Sequence, residues 1–176
     1  MITNETLETL RNRRSCKAYK PEQIKEDELD TILDAGTWAP TGMGNQSPIM
    51  IAVQNKEDIA ELERINAEIF GKPGSSLFYG APTVVVVLAE ADKPTNVYDG
   101  SLVMGNMLNA AASIGVGACW IHRAKETFER TDGKSLLKKW GIEGNYVGIG
   151  NCVLGYPASA PKEPTARKAN YITKIK

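Results

Sequence analysis

The run TVVVVLA at residues 83–89 constrains this chain more than any other stretch. Consecutive β-branched valines are stiff at χ1 and fit a pleated strand better than a helix. Side chains of a strand alternate between two faces, and here both alternating sets are apolar, so both faces need cover. Such a strand is the middle of a sheet with layers packed on either side. A chain of 176 residues can build a core of that thickness as one domain, whereas two domains would be cramped.

The remaining pattern supplies the layers. Leu7 and Leu10, spaced i, i+3 behind Asn4 or Thr3 as N-cap, predict a helix that delivers the chain to Arg13, with Tyr19 and Pro21 ending it. Ile24, the acidic turn Glu26, Asp27 and Glu28, and the face Leu29, Ile32, Leu33 and Gly36 predict a second helix stopping near Trp38. Residues 49–53 read as a strand, and Asn55 caps a helix running to about Phe70. Residues 95–114 form a helix rich in small residues, closed by Gly115, that packs in the core and also meets a partner subunit. A short strand at 118–121, helical turns at 125–130 and 133–140, and a last strand at 146–155 follow. The proline-rich segment from Tyr156 onward has too little apolar matter to fold on itself, so it frays or wraps another surface. Two phosphate-loop lookalikes fail: GKPGSS at 71–76 lacks the GxxxxGK[ST] spacing, and the GxG of Gly148 and Gly150 has no helix pattern behind it.

Chemistry concentrates in RRSCK, residues 13–17. Arg13, Arg14, Ser15 and Lys17 offer a guanidinium fork, an ammonium and a hydroxyl, which suits a phosphate; the alternative is a solvated basic turn. Lys plus Arg and Asp plus Glu number 21 each, so no global field draws nucleic acid or an anionic membrane, and any anion site is local. Cys16, Cys119 and Cys152 are widely spaced without a zinc pattern; they indicate a reduced, cytoplasmic protein, with Cys119 and Cys152 in strand cores. The first residues lack a signal pattern and no apolar run nears the ~20 residues of a membrane span, so no membrane association is expected. The loop APTGMGNQSP, 39–48, exposes backbone N–H groups to a ligand. His122, the single histidine, is either a proton donor or a capping or surface residue. Trp38 and Trp120 serve either core or dimer packing, or ligand stacking.

Four stretches in order, RRSCKAY, WAPTGMGNQSP, DGSLVMGNMLNAAASIGVGACWI and LGYP with a tail holding Arg167, resemble the FMN-dependent nitroreductase family across nearly the whole chain. The resemblance implies an α+β fold: a mostly antiparallel central sheet flanked by helices, in an intertwined homodimer whose C-terminal extensions reach the partner. It implies FMN as cofactor and NADH or NADPH as reductant. Arg13, Ser15 and Lys17 match the R-x-S-x-[RK] signature that holds the phosphate, ribityl chain and pyrimidine edge, with Arg14 contributing from the intervening position. Arg167 matches the arginine that closes on the phosphate. Pro40, Thr41, Gly42 and Gln46 match the loop that faces the flavin of the other subunit. Trp120, Ile121, His122 and Arg123 fall where the family's backbone passes the flavin N5 edge.

Two departures stand out. The asparagine usual after Gly-Met is replaced by Gly44, with Asn45 one place later as the flavin-contacting candidate, and Ser47-Pro48 replaces a Pro-Trp pair. The implied activity is hydride transfer from NAD(P)H through flavin N5 to a nitroaromatic or quinone-like small molecule by ping-pong kinetics, with no side-chain nucleophile and no metal. A non-catalytic FMN store or sensor, or another flavin reaction such as reductive dehalogenation, remains an alternative on the same scaffold.

Overall fold

A computed structural model describes residues 2–176. The valine run becomes β2 (Thr83–Glu90), flanked by β1 (Pro48–Val53) and β4 (Tyr146–Gly155), with β3 (Gly117–Ile121) beyond β4, giving the order β1-β2-β4-β3. All three pairings are antiparallel. The helices are α1 (Glu5–Asn12), α2 (Glu26–Thr37), α3 (Lys56–Ile69), α4 (Asn96–Ser113), α5 (Ala124–Glu129) and α6 (Thr131–Lys139). Among the described residues no helix is long and apolar enough to cross a membrane.

β2 divides the core as its sequence requires. Val85, Val87 and Ala89 join Leu29 and Ile32 of α2 and Val103, Met104 and Met107 of α4 on one face. Val84, Val86 and Leu88 join Leu62 and Ile65 of α3, Phe128 of α5 and Leu136 of α6 on the other. The four valines are fully buried. Each such side chain contributes about 1.5–2 kcal/mol of burial free energy, which makes this strand the anchor of both layers.

Glycines set how closely the layers approach. A Cβ on Gly100 of α4 would lie 2.5 Å from Ile149 Cγ1, and one on Gly36 of α2 would lie 2.6 Å from Met50 Sδ. The GxG of β4 has the same cause: a Cβ on Gly148 would lie 2.2 Å from the Ala124 carbonyl oxygen, and one on Gly150 would lie 2.4 Å from Trp120 Nε1. The register shift at Val87/Leu88, which pair with Gly150 and Gly148, leaves Ile149 as the extra residue of a bulge and drives it into the α4 layer.

The first helix ends at Asn12 and delivers the chain to Arg13 as expected, but Tyr19 and Pro21 do not end it: the chain turns extended at Arg13 (ψ 132°) and is then taken up in strand-like pairing. Trp38 is 78% exposed and takes no part in this chain's core. The tail beyond Pro157 is exposed throughout, but its root is held: Lys20 N–H donates to Tyr156 O and Ala158 N–H donates to Ala18 O, each at 2.9 Å.

Candidate functional site

The basic turn is built from α1 outward. Asn4 caps the helix by accepting from Leu7 N–H at 2.9 Å, and the turn begins one residue past Asn12. In extended backbone alternate residues share a face, which sets Ser15 and Lys17 together on one side of the stretch. Arg14 is spent on structure: its Nη1 donates to Arg11 O and to Arg13 O, each at 2.7 Å. Cys16 N–H donates to Ala118 O at 2.9 Å within a parallel bridge between Ser15 and Ala118, so the turn caps the free edge of β3. The Cys16 thiol donates inward to Ala18 O at 3.2 Å, and a Cβ on Gly117 would come within 2.9 Å of its sulfur. Close approach of the turn to β3 therefore needs that glycine.

Two cavities adjoin along this turn and share Ser15 and Lys17. The smaller, about 300 Å³, is lined by Ser15, Lys17, Leu77, Tyr79 and the strand end from Cys119 to Arg123. The larger, about 1080 Å³, runs between the turn, the C-terminal end of α4 and the tail, and carries Arg13, Arg14 and Arg167 on its walls. Cys119 lies in the floor of the smaller one. Burial pushes its thiol up, partly offset by the Ser15 hydroxyl and by the charges of Lys17 and Arg13. Cys152, deeper in the core, is pushed up to about 12 by burial.

The strand end is held by a residue the sequence did not advertise. Arg123 is left-handed (φ 79°), a costly conformation for a side chain of its size. Asn66 of α3, fully buried, grips the turn with both ends of its amide: Nδ2 donates to His122 O at 2.8 Å and Oδ1 accepts from Arg123 Nε at 3.1 Å. The Arg123 guanidinium also lies 4.6 Å from the centroid of the Phe70 ring. His122 is exposed. An asparagine on the buried face of a helix, where it is a poor former, is the one sequence signal that marks this clamp.

The Gly/Pro loop is similarly braced. Gly42–Gly44 form a short 3₁₀ turn in which Met43 has φ 54°, and Gln46 follows at φ 50°. Asp99, buried in the first turn of α4, accepts from Gly42 N–H at 2.9 Å and from the Thr95 hydroxyl at 2.8 Å. Thr41 Oγ1 accepts from Gln46 N–H at 3.0 Å. Pro40, Thr41, Gly42, Asn45 and Gln46 line neither cavity within the chain. Thus the structure brings Arg13, Arg14, Ser15, Lys17, Trp120, Ile121, His122, Arg123 and Arg167 to two joined cavities and leaves the loop outside them.

Comparison with known proteins places this geometry. The model of the nitroreductase family matches residues 10–156. A nitroreductase with bound FMN from Bacteroides fragilis is 33% identical, with a TM-score of 0.91 over 99% of this chain and 100% of that one. A nitroreductase with bound FMN from Desulfitobacterium hafniense, 24% identical, shares the fold with a TM-score of 0.89 over 99% of this chain and 100% of that one. Among curated proteins, FMN reductase (NAD(P)H) of Bacillus subtilis is 23% identical over 184 residues, covering 92% of this chain and 70% of that protein. With the family model spanning the basic turn, the sheet and the strand end alike, this chain belongs to the nitroreductase family.

Proposed function

We propose that this chain is an FMN-dependent NAD(P)H oxidoreductase that reduces nitroaromatic or quinone-like small molecules. The observation that carries the reading is the pair of adjoining cavities, the larger bringing Arg13, Arg14, Lys162 and Arg167 together against Glu5, Glu8 and Glu163, the smaller mixed where Leu77, Tyr79 and residues 119–123 stand, with Ser15 and Lys17 shared by both. That profile fits a ligand with a dianionic end and a planar aromatic end. Arg13, Ser15 and Arg167 would hold the phosphate and ribityl chain, and Lys17 the pyrimidine edge. When bound, FMN would supply the hydride-transfer chemistry between NADH or NADPH and the acceptor.

The protein's part is position and field. Lys17 would place a positive charge beside the pyrimidine edge, where it would favour the anionic reduced ring. The Asn66 clamp keeps the His122–Arg123 backbone in one conformation against the cavity, so its N–H groups are preorganised for the reacting edge. Arg14 keeps the phosphate-binding turn folded. In a homodimer, the loop of Pro40, Thr41, Gly42, Asn45 and Gln46 would form the second wall of the partner's site, held by Asp99 and Thr41. The exposed Val97, Tyr98 and Leu102 of α4, with Trp38, give such a dimer its apolar contact, and the tail would lie across the partner.

Anaerobic mixing of the FMN-loaded protein with NADH and with NADPH tests the reading: bleaching of the flavin band with at least one of them, followed by recovery on adding a quinone, is expected. A yellow protein that neither nucleotide bleaches is a store or sensor, and the enzyme reading then fails. Arg13→Ala is expected to weaken FMN binding by roughly 10- to 100-fold, the loss of one charge-assisted phosphate contact.

A further inference from the structure

Arg123 and Lys17 line the smaller cavity and Lys72 shares the Phe70 ring with Arg123, and none of the three is balanced as Arg64 and Arg130 are. Arg64 and Arg130 are each paired with carboxylates, sharing Glu68 and Asp132, and Arg64 also takes Glu61. Glu63 is engaged by the Ser76 hydroxyl and Phe78 N–H. Those contacts occupy the acids of α3 that lie toward the Phe70–Tyr79 loop. Arg123, Lys72 and Lys17 make no ion pair among the described residues, and no carboxylate lines the cavity.

Instead, each of these cations is set against an aromatic ring. Arg123 lies 4.6 Å and Lys72 5.5 Å from the Phe70 centroid, while Lys17 lies 5.9 Å from that of Tyr79 on the facing wall. Arg123 is further fixed by Nε donation to the buried Asn66. Its Nη1 and Nη2 make no hydrogen bond to the described residues, so a guanidinium held on two sides presents an open fork. Backbone strain is accepted to hold it there, since Arg123 sits at φ 79°. A preorganised cation without an acid is the arrangement that binds an anion at small entropic cost.

Resting on the flavin-enzyme reading above, we propose that Arg123 and Lys72 form a phosphate-binding rim, seated on Phe70, that receives a phosphate of the incoming nicotinamide dinucleotide. A fork beside a point charge suits phosphate oxygens. The dinucleotides offer two such groups, the diphosphate common to both and the 2′-phosphate of NADPH alone. Lys17 is left to the flavin.

The test uses redox-inert fragments, so it reads binding and not turnover. FMN-loaded wild type, Arg123→Gln and Lys72→Gln are titrated calorimetrically with ADP-ribose and with 2′-phospho-ADP-ribose, and flavin occupancy is read from the visible spectrum of each sample. About tenfold weaker binding is expected for Arg123→Gln and a few-fold for Lys72→Gln, with wild-type affinity falling as salt rises. Equal weakening of both fragments assigns the diphosphate to the rim; weakening of the phosphorylated fragment alone assigns the 2′-phosphate. Wild type that binds neither fragment, or variants whose affinities stay within twofold of wild type, would overturn the rim. Lys72 lies in an exposed loop, so its variant reports even where Arg123→Gln folds poorly. Failure of the wild type to bind FMN at all is a separate outcome and removes the flavin reading itself.

Discussion

Replacing Gly148 by alanine should loosen the seat of α5 on the sheet. The added Cβ would lie 2.2 Å from the Ala124 carbonyl oxygen, 2.3 Å from its carbon and 2.7 Å from Lys125 N. These neighbours are backbone atoms, so no side chain can swing away, and the start of α5 or β4 must shift by about 1 Å to restore ordinary contact. Overpacking of this kind costs about 3 kcal/mol, the upper part of the usual range, because two hydrogen-bonded elements must move together. In a chain of this length about 1 kcal/mol corresponds to roughly 2–4 °C, so thermal unfolding should fall by about 6–12 °C. Ala124 directly follows Arg123, so the same shift should weaken FMN binding. Circular dichroism melts with and without FMN measure both effects. A melting temperature within 2 °C of wild type would refute the packing argument.

Three further outcomes follow from the structure. Asp99→Ala removes the acceptor of Gly42 N–H and the Thr95 hydroxyl and should cost about 2–3 kcal/mol in urea unfolding, while Asp99→Asn, which keeps an acceptor for Gly42, should cost less. The Asp58 carboxylate, 9% exposed at its side chain and bound by Lys139 Nζ and Trp140 Nε1, is held below the usual carboxylate range. Its contribution is therefore complete above the unfolded value near pH 4 and is lost as pH falls through the lower folded value, so Asp58→Asn should flatten the acid limb of a stability–pH curve. Leu102→Glu, at a position 47% exposed in the single chain, should shift the protein toward monomer in analytical ultracentrifugation and lower its FMN occupancy. An unaltered dimer would mean that α4 does not form the interface.

Much of the fold was legible because the signals are local or strictly periodic. Asn4 and Asn55 cap helices where their side chains reach the N–H three residues on, and the valine run could only be a strand covered on both faces. α1 delivers the chain to Arg13, but what stops it there is neither Tyr19 nor Pro21. Arg14 takes the carbonyls of Arg11 and Arg13, and the edge of β3, distant in sequence, captures Cys16. Trp38 stands 78% exposed, so of the roles its residue type allows, packing in this chain's own core is the one the structure removes.

The site divides along the same line. Residue type alone determined that residues 13–17 concentrate cations and a hydroxyl suited to a phosphate. Only the tertiary structure decided that Arg14 would be spent on the turn, that Gly148 and Gly150 serve contact between layers, and that Asn66 and Asp99 would brace the two irregular segments. Each of those roles depends on a partner far along the chain: Ala124 for Gly148, His122 and Arg123 for Asn66, Gly42 for Asp99. A hydrogen bond or a close contact between distant segments is a property of the packed layers, and the linear order of residues does not contain it until the sheet has brought those layers together.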